Sequence, residues 1–228
     1  MSGEDRNRLA AAIEHTLLKQ EATGDDIRRL CDEAAGCRLF GVCVQPIRVG
    51  LARSYLDSLG EAGRSVTVST VAGFPLGCSV GETVAAEAAA ALDDGAAEVD
   101  MVISLGLLLE GDEDAARDVV EKAAGTVHER RGLLKVILES AALSDEQNRA
   151  ACRVAGVAGA DFVKTSTGMH PAGGASVHHV QLLKEASGLR VKAAGGIRDT
   201  KTALAMLEAG ADRLGTSSGV AIVEGAAN

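Results

Sequence analysis

The segment DEQNRAACRVAGVAGADFVKTS, residues 145–166, combines a helix, a turn and a strand in that order. Its first part places apolar residues at helical spacing. A Gly-Ala-Asp turn then leads into the apolar run DFVKTS, whose length and content are typical of a buried parallel strand. Glycine at such a turn permits the left-handed backbone that ends many helices. The segment therefore predicts an α/β unit in which a helix covers a parallel sheet.

The same turn recurs as GAAE at 95–98 and GAD at 210–212. Eight short apolar runs in all follow one another at similar intervals, at 13–18, 39–44, 65–72, 98–103, 133–139, 161–166, 190–195 and 213–218. The average spacing of about 28 residues suits the βα unit of a barrel. The alternative is an open doubly wound sheet, but no G-x-G-x-x-G follows the first two runs. We therefore predict an α/β fold, a single-domain (β/α)8 TIM barrel over residues 1–228, with its core at about 13–223 and short polar termini.

Composition argues against several other classes of protein. Hydrophobic residues make up 46% of the chain and aromatic residues 2%, so Val, Leu, Ile and Ala are expected to fill the core. The net charge of −9, without a basic stripe, argues against nucleic-acid binding. No apolar run approaches membrane-spanning length, and the polar N-terminal stretch lacks the apolar region of a signal peptide. An odd number of cysteines, five, without a C-x-x-C pair indicates reduced thiols and a cytoplasmic protein.

Ionisable residues interrupt four of the apolar runs, namely Asp100, Lys135, Lys164 and Lys192. Buried charge is costly unless it is paired or used in chemistry. Taken singly, each lysine has a structural explanation, because it could reach solvent or form a buried ion pair. Several such residues near the C-terminal ends of separate strands point instead to the rim where barrel active sites lie.

Lys164 and Lys192 lie on consecutive predicted strands, so their ammonium groups are expected to face the same space. An ordinary lysine, with a pKa of about 10.4, is neutral in only about one molecule in 2,500 at pH 7. A neighbouring cation and partial burial lower that pKa and expose the amine lone pair. The pair therefore predicts carbonyl chemistry through an imine, in which Asp100 works with Lys192 on proton transfer.

Two glycine-rich segments follow the last two predicted strands, AGGIR at 194–198 and LGTSSG at 214–219. These loops are the usual phosphate site of barrels. Glycines let backbone N–H groups approach an anion, and Ser217 and Ser218 add hydroxyl donors. TSTG at 165–168 is a further donor-rich edge. The alternative is that these residues simply form turns.

The motifs EVDMVI, FVKTSTG, VKAAGGIR and ADRLGTSSG together resemble the deoxyribose-phosphate aldolase family. HTLLK (15–19), GFPLG (73–77) and LKVILE (134–139) also occur in the family's order, so the resemblance covers about residues 13–223. It implies a class I aldolase in which acetaldehyde forms an imine with Lys164. The enamine then adds to glyceraldehyde 3-phosphate and gives 2-deoxyribose 5-phosphate, reversibly.

The same resemblance implies a role for each remaining site residue. Lys192 perturbs Lys164, and Asp100 joins the proton relay, so the expected catalytic residues are Lys164, Lys192 and Asp100. The phosphate is expected at Gly168, Gly195, Gly196, Gly215, Ser217 and Ser218. No metal or organic cofactor is implied, and no histidine pair shows the spacing of a zinc site. We expect a homo-oligomer that acts on small-molecule substrates, without a nucleic-acid or membrane partner.

The chain departs from the common family pattern at Glu14, Gln20, Gln45, Ser104 and Ser140. We expect these changes to affect substrate preference and rate rather than reaction class. Two other functions stay open. Another imine-forming aldolase, acting on fructose phosphate or a 2-keto acid, would keep the lysine and the phosphate loops but need a different pocket. A non-catalytic sugar-phosphate sensor would bind its ligand without turnover.

Overall fold

All eight strands of the computed structural model, which describes residues 3–225, lie within the predicted apolar runs. They are β1 Ile13–Leu17, β2 Gly41–Val44, β3 Thr67–Ala72, β4 Glu98–Val102, β5 Leu133–Ile137, β6 Phe162–Lys164, β7 Arg190–Ala194 and β8 Arg213–Thr216. Each strand pairs in parallel with the next, and β8 pairs with β1 to close the barrel. The prediction of a (β/α)8 barrel is confirmed, and the open sheet is excluded.

Helices lie between successive strands and cover the outside of the barrel. Within residues 3–225 they are α1 Gly3–Ala10, α2 Gly24–Cys37, α3 Val49–Ser58, α4 Glu61–Arg64, α5 Gly81–Asp93, α6 Leu105–Glu110, α7 Glu113–Glu129, α8 Asp145–Val157, α9 Val177–Ser187, α10 Thr200–Glu208 and α11 Gly219–Glu224. Single turns of 3-10 helix occur at Pro46–Arg48 and Ser140–Ala142. None of the helices in this part of the chain is long and apolar enough to cross a membrane.

The segment 145–166 forms α8, a tight turn and β6, as predicted. Gly159 has a φ of 88°, in the left-handed region that glycine adopts without steric cost. The next amide, Ala160 N, donates to Ala155 O at 3.0 Å and so caps the last turn of α8. The chain then enters β6 directly, which places Lys164 at the C-terminal end of that strand.

Two different environments make up the interior. Between the strands and the helices, aliphatic side chains such as Val99, Leu134 and Val163 form a continuous apolar layer, as the composition predicts. The inside of the barrel is different, because Asp100, Lys135 and several other charged residues are buried there. Every second residue of a strand points to the opposite face, so ionisable residues in apolar strands can point inward.

The predicted short polar N-terminus contains a helix. Residues 3–10 form α1, in which Leu9 and Ala10 are buried and extend the apolar layer ahead of β1. α1 contacts α10 and α11 and so covers part of the barrel's outer surface. The extension of one domain over 1–228 stays a prediction, because residues 1–2 and 226–228 lie outside the described residues.

Candidate active site

The three predicted catalytic residues meet at one carboxylate. Lys164 ends β6 and lines a cavity of about 290 Å³ at the C-terminal end of the barrel. Asp100 in β4 and Lys192 in β7 are fully buried beside it. Asp100 Oδ2 accepts hydrogen bonds from Lys164 Nζ at 2.8 Å and from Lys192 Nζ at 2.7 Å. Both ammonium groups therefore share one oxygen atom.

Lys135 is a third partner of the same carboxylate. Its Nζ donates to Asp100 Oδ1 at 2.8 Å and lies 2.6 Å from Glu98 Oε2. The strand register explains the convergence, because Asp100 is paired with Lys135 and Lys164 with Lys192 on neighbouring strands. The sequence showed Lys135 as a charge in an apolar strand, but it did not show which carboxylate binds it.

Further charges extend the network toward the opposite end of the barrel. Glu14 in β1 accepts a hydrogen bond from Lys192 Nζ, and its other oxygen lies 3.5 Å from Lys135 Nζ. Arg213, the first residue of β8, lies 3.6 Å from Glu98 and 4.0 Å from Glu14. Sequence reasoning missed Glu98 and Arg213 because charges at the start of a strand ordinarily reach solvent. Glu14 appeared there only as a departure from the family pattern.

We call this network the buried charge cluster. Within residues 3–225 it contains four cations and three carboxylates, namely Lys135, Lys164, Lys192, Arg213, Glu14, Glu98 and Asp100. When all seven groups are ionised, one positive charge is in excess, and loss of a proton from one lysine neutralises the cluster. Of the three lysines in the cluster, Lys164 contacts one carboxylate and opens onto the cavity.

Four members of the cluster, Glu14, Asp100, Lys135 and Lys192, have pKa values shifted in favour of their ionised forms. Burial alone would raise the pKa of Asp100, but Lys135, Lys164 and Lys192 outweigh it and keep that pKa well below its ordinary value. Burial would lower the pKa of Lys192, but Asp100 and Glu14 reverse the effect and raise it. The same balance lowers the pKa of Glu14 and raises that of Lys135. Lys192 therefore acts as a fixed cation next to Lys164.

One group of side chains in the described part of the chain has the arrangement of a metal site. The ligand atoms of Glu14, Cys43 and Asp100 lie within 4.8 Å of one another, and all three residues are buried. Both carboxylates, however, already bind the Lys192 ammonium group. Burial also raises the pKa of the Cys43 thiol to about 11, so the thiol stays protonated at neutral pH. A metal ion would have to displace the thiol proton of Cys43 and the ammonium group of Lys192. Glu14 and Asp100 therefore favour their ion pairs with Lys192 over binding of a metal ion.

The loops predicted to hold phosphate line the same cavity as Lys164. Gly168, Gly195, Gly196, Gly215 and Ser217 all contribute to its wall. Ser218 is absent from that lining, and its N–H donates to Thr216 Oγ1 at 2.9 Å. The structure thus places five of the six predicted residues around one cavity.

Two basic residues that the sequence analysis did not single out also line this cavity. Lys19 and Arg198 are both exposed and lie on the loops after β1 and β7. They are the last residues of the HTLLK and AGGIR motifs, and this position at the end of a strand could have identified them from the sequence. Their charge offsets locally the overall charge of −9, which opposes an anionic ligand.

Gly215 has a second structural role. It lies within β8, and a Cβ atom at this position would stand 3.1 Å from Lys192 Cε. The missing side chain therefore leaves room for the Lys192 side chain to extend to Asp100. A larger residue would push Lys192 away from the carboxylate.

Comparison with known proteins identifies the family of this chain. The family model of the DeoC/LacD family aldolases matches residues 8–225. The chain belongs to this aldolase family. The deoxyribose-phosphate aldolases of Thermococcus gammatolerans and Kocuria rhizophila are each 50% identical to it over 222 residues, 96% of this chain and 97% of theirs. The tetrameric deoxyribose phosphate aldolase structure from Aeropyrum pernix is 32% identical, has a TM-score of 0.87 and covers 98% of this chain and 97% of its own.

The pKa shifts in this aldolase predict how its stability depends on pH. The lowered pKa of Asp100 contributes stability above the ordinary carboxyl value, and this contribution is lost as the pH falls below about 4. The raised pKa values of Lys135 and Lys192 contribute stability below the ordinary lysine value, which is lost as the pH rises above about 10.4. Urea unfolding of wild type and of Asp100→Asn/Lys135→Met measures this dependence. The difference in unfolding free energy between the two proteins should be constant from about pH 5 to 9, and it should decrease at lower and at higher pH. A difference that varies steadily across neutral pH would contradict these shifts.

Proposed function

We propose that the chain is a class I aldolase that cleaves 2-deoxyribose 5-phosphate to glyceraldehyde 3-phosphate and acetaldehyde through a Schiff base on Lys164. The observation that carries the proposal is the position of Lys164, which joins the buried charge cluster to the cavity lined by the predicted phosphate loops. The substrate is the one named by the relatives that are 50% identical. We also propose a homo-oligomer, since the Aeropyrum pernix relative is tetrameric.

In the proposed reaction the neutral amine of Lys164 attacks the aldehyde carbon of the substrate, and uptake of one proton with loss of water gives a protonated imine. The imine withdraws electrons from the adjacent carbon, so the bond between the second and third carbons breaks when the hydroxyl on the third carbon loses its proton. Glyceraldehyde 3-phosphate leaves and an enamine remains. Protonation of the enamine and addition of water release acetaldehyde and restore the amine.

The cluster serves this reaction in two ways. Asp100 Oδ2 contacts both Lys164 Nζ and Lys192 Nζ, so it joins the two nitrogens by hydrogen bonds along which a proton can pass. Lys192 stays charged next to Lys164, held by its hydrogen bond to the shared oxygen of Asp100. The buried setting strengthens both effects because it excludes water.

Borohydride reduction in the presence of acetaldehyde tests the nucleophile directly. We expect one N-ethyl-lysine per chain, at Lys164, because this lysine of the cluster lines the cavity. Peptide mapping by mass spectrometry locates the adduct. An adduct on Lys135 or Lys192 would reverse the assigned roles, and no adduct with full turnover would exclude a Schiff-base mechanism.

A substitution in the phosphate loop tests the substrate's anionic end. Gly196 has a φ of 79°, and a Cβ atom at this position would have no neighbour within 4 Å, so Gly196→Val strains the loop and projects its methyl groups into open space. Loss of one charge-assisted hydrogen bond, about 1.5–3 kcal/mol, corresponds to roughly a 10–100-fold loss in kcat/KM for 2-deoxyribose 5-phosphate. Unphosphorylated 2-deoxyribose makes no phosphate contact and should lose much less.

The decisive measurement is the ratio of kcat/KM for the phosphorylated sugar to that for the unphosphorylated sugar. Gly188→Val is a matched control, because Gly188 also has a positive φ, 65°, with open space around it, and it follows α9 at the other end of the barrel. The ratio should fall in Gly196→Val and stay at its wild-type value in Gly188→Val. An unchanged ratio in folded Gly196→Val would show that the phosphate is held elsewhere.

A further inference from the structure

A further buried carboxylate, Glu139, lies outside the buried charge cluster and two residues after the end of β5. Its Oε2 accepts a hydrogen bond from Thr167 Oγ1 at 2.6 Å, and both its oxygens lie 3.3 Å from Thr167 N. Within residues 3–225, these bonds from one threonine are the hydrogen bonds found for the carboxylate. Since a buried carboxylate requires hydrogen-bond partners, Glu139 and Thr167 form a specific pair.

The backbone of Glu139 has an unusual conformation at the position where its side chain contacts Thr167. Its φ of 54° and ψ of 50° are in the left-handed region, which residues with a Cβ rarely adopt. Leu138 N donates to Lys164 O at 2.9 Å and Ser140 N donates to Thr165 O at 2.7 Å, so both neighbours of Glu139 are held against the end of β6. Glycine would suit this backbone better, and the contact with Thr167 explains why a side chain is useful there.

Thr167 links Glu139 to the cavity. Thr167 lines the cavity, and its Oγ1 accepts a hydrogen bond from Met169 N at 3.1 Å, which closes a turn around Gly168. Gly168 in turn packs against the phosphate loop, because a Cβ atom on Gly195 would lie 3.4 Å from Gly168 Cα. A continuous set of contacts therefore runs from Glu139 through Thr167 and Gly168 to Gly195.

We propose that Glu139 is a positioning residue that holds the loop after β6 in place, so that Gly168 and Gly195 can bind the anionic end of the substrate. The proposal rests on the proposed function, in which that end is a phosphate monoester. Glu139 acts through Thr167 and is absent from the cavity lining. Its contribution is therefore to substrate binding, while the formation of the imine at Lys164 does not depend on it.

Glu139→Gly tests the proposal, because it removes the carboxylate and keeps a residue suited to the left-handed backbone. We expect KM for 2-deoxyribose 5-phosphate to rise roughly tenfold, which is about 1.4 kcal/mol, while kcat changes less than about threefold. KM for unphosphorylated 2-deoxyribose and the rate of acetaldehyde trapping at Lys164 should stay at their wild-type values. An unchanged KM for the phosphorylated sugar, or an equal loss for both sugars, would overturn the proposal.

Two further variants guard against a general effect on folding. Arg131 also has a left-handed backbone, with a φ of 59°, but it is exposed in the turn before β5, so Arg131→Gly should leave KM unchanged. If Glu139→Gly fails to fold, Thr167→Val carries the test, because valine keeps the shape of threonine and removes the hydroxyl. It should raise KM for the phosphorylated sugar about threefold, which is about 0.7 kcal/mol, without a matching rise for the unphosphorylated sugar. Equal values in Thr167→Val and wild type would overturn the proposal.

Calorimetric titration with inorganic phosphate separates this proposal from the proposed function. The Kd for phosphate should be roughly tenfold weaker in Glu139→Gly than in wild type, and unchanged in Arg131→Gly. If the wild type does not cleave 2-deoxyribose 5-phosphate, the proposed function fails, but the phosphate titration still decides the role of Glu139. Equal Kd values in Glu139→Gly and wild type would overturn that role.

Discussion

Lys164→Met should lose at least roughly 10⁴-fold in kcat for cleavage of 2-deoxyribose 5-phosphate, because the variant has no amine to form the imine. Methionine has similar length and suits a buried site. The substitution also removes one of the four cations, so three cations and three carboxylates remain in the cluster. We therefore expect the variant to fold and to show a melting temperature near that of wild type. Acetaldehyde release and borohydride trapping measure the loss.

Lys201→Met is the matched control for this experiment. Lys201 is exposed on α10, away from the cavity that Lys164 lines, so its loss should leave kcat unchanged. Turnover by folded Lys164→Met above one-hundredth of the wild-type rate would show that another lysine forms the imine. Adduct mapping in the same variant would then identify that lysine.

Asp100→Asn should cause a larger loss of stability than any of the other single substitutions. Lys135, Lys164 and Lys192 all contact the Asp100 carboxylate within 2.8 Å, and Asp100 is fully buried. Removal of its charge leaves four cations against two carboxylates in a site without solvent. Loss of one member of a buried ion pair costs about 3–5 kcal/mol, which corresponds to a fall of roughly 6–20 °C in Tm. Differential scanning calorimetry and urea unfolding both measure this change.

Two comparisons separate this effect from a general cost of removing a carboxylate. Glu82→Gln removes the partner of Lys122, 2.6 Å away, but both side chains of that pair are exposed and the expected change is within about 0.5 kcal/mol. Asp100→Asn/Lys135→Met also removes one of the cations that are in excess in Asp100→Asn, and should recover part of the lost stability. If Asp100→Asn is no less stable than Glu82→Gln, the buried charge cluster does not stabilise the fold in the way described.

Several elements could be predicted because their signals are local. The Gly-Ala-Asp turn before β6 needs only a glycine at the end of a helix and an apolar run after it. Lys164, Lys192 and Asp100 are conspicuous because each interrupts an apolar strand. Residues 194–198 and 214–219 combine glycine with donors directly after strands. In each case, the neighbours that produce the feature lie a few residues away along the chain.

Other parts of the site have no local signal. Glu98 and Arg213 begin their strands, where charged residues usually face solvent, yet Arg213 lies 3.6 Å from Glu98 across the barrel. Glu139 and Thr167 are 28 positions apart, and a left-handed backbone at a glutamate is not predictable from sequence pattern. Composition does not show which face of a strand a charge occupies.

The chain's periodicity and glycine turns determined the number of strands, their order and the fold class, because these depend on interactions between near neighbours. The motifs in strands also determined which residues were candidates for the imine and the phosphate. Barrel closure alone decided that Asp100 binds three lysines and that the cluster has one excess positive charge. Electrostatic energy varies inversely with distance, and the distances between charges on six separate strands are set by strand register. The protonation of the cluster, and with it the proposed chemistry, is therefore a property of the folded barrel.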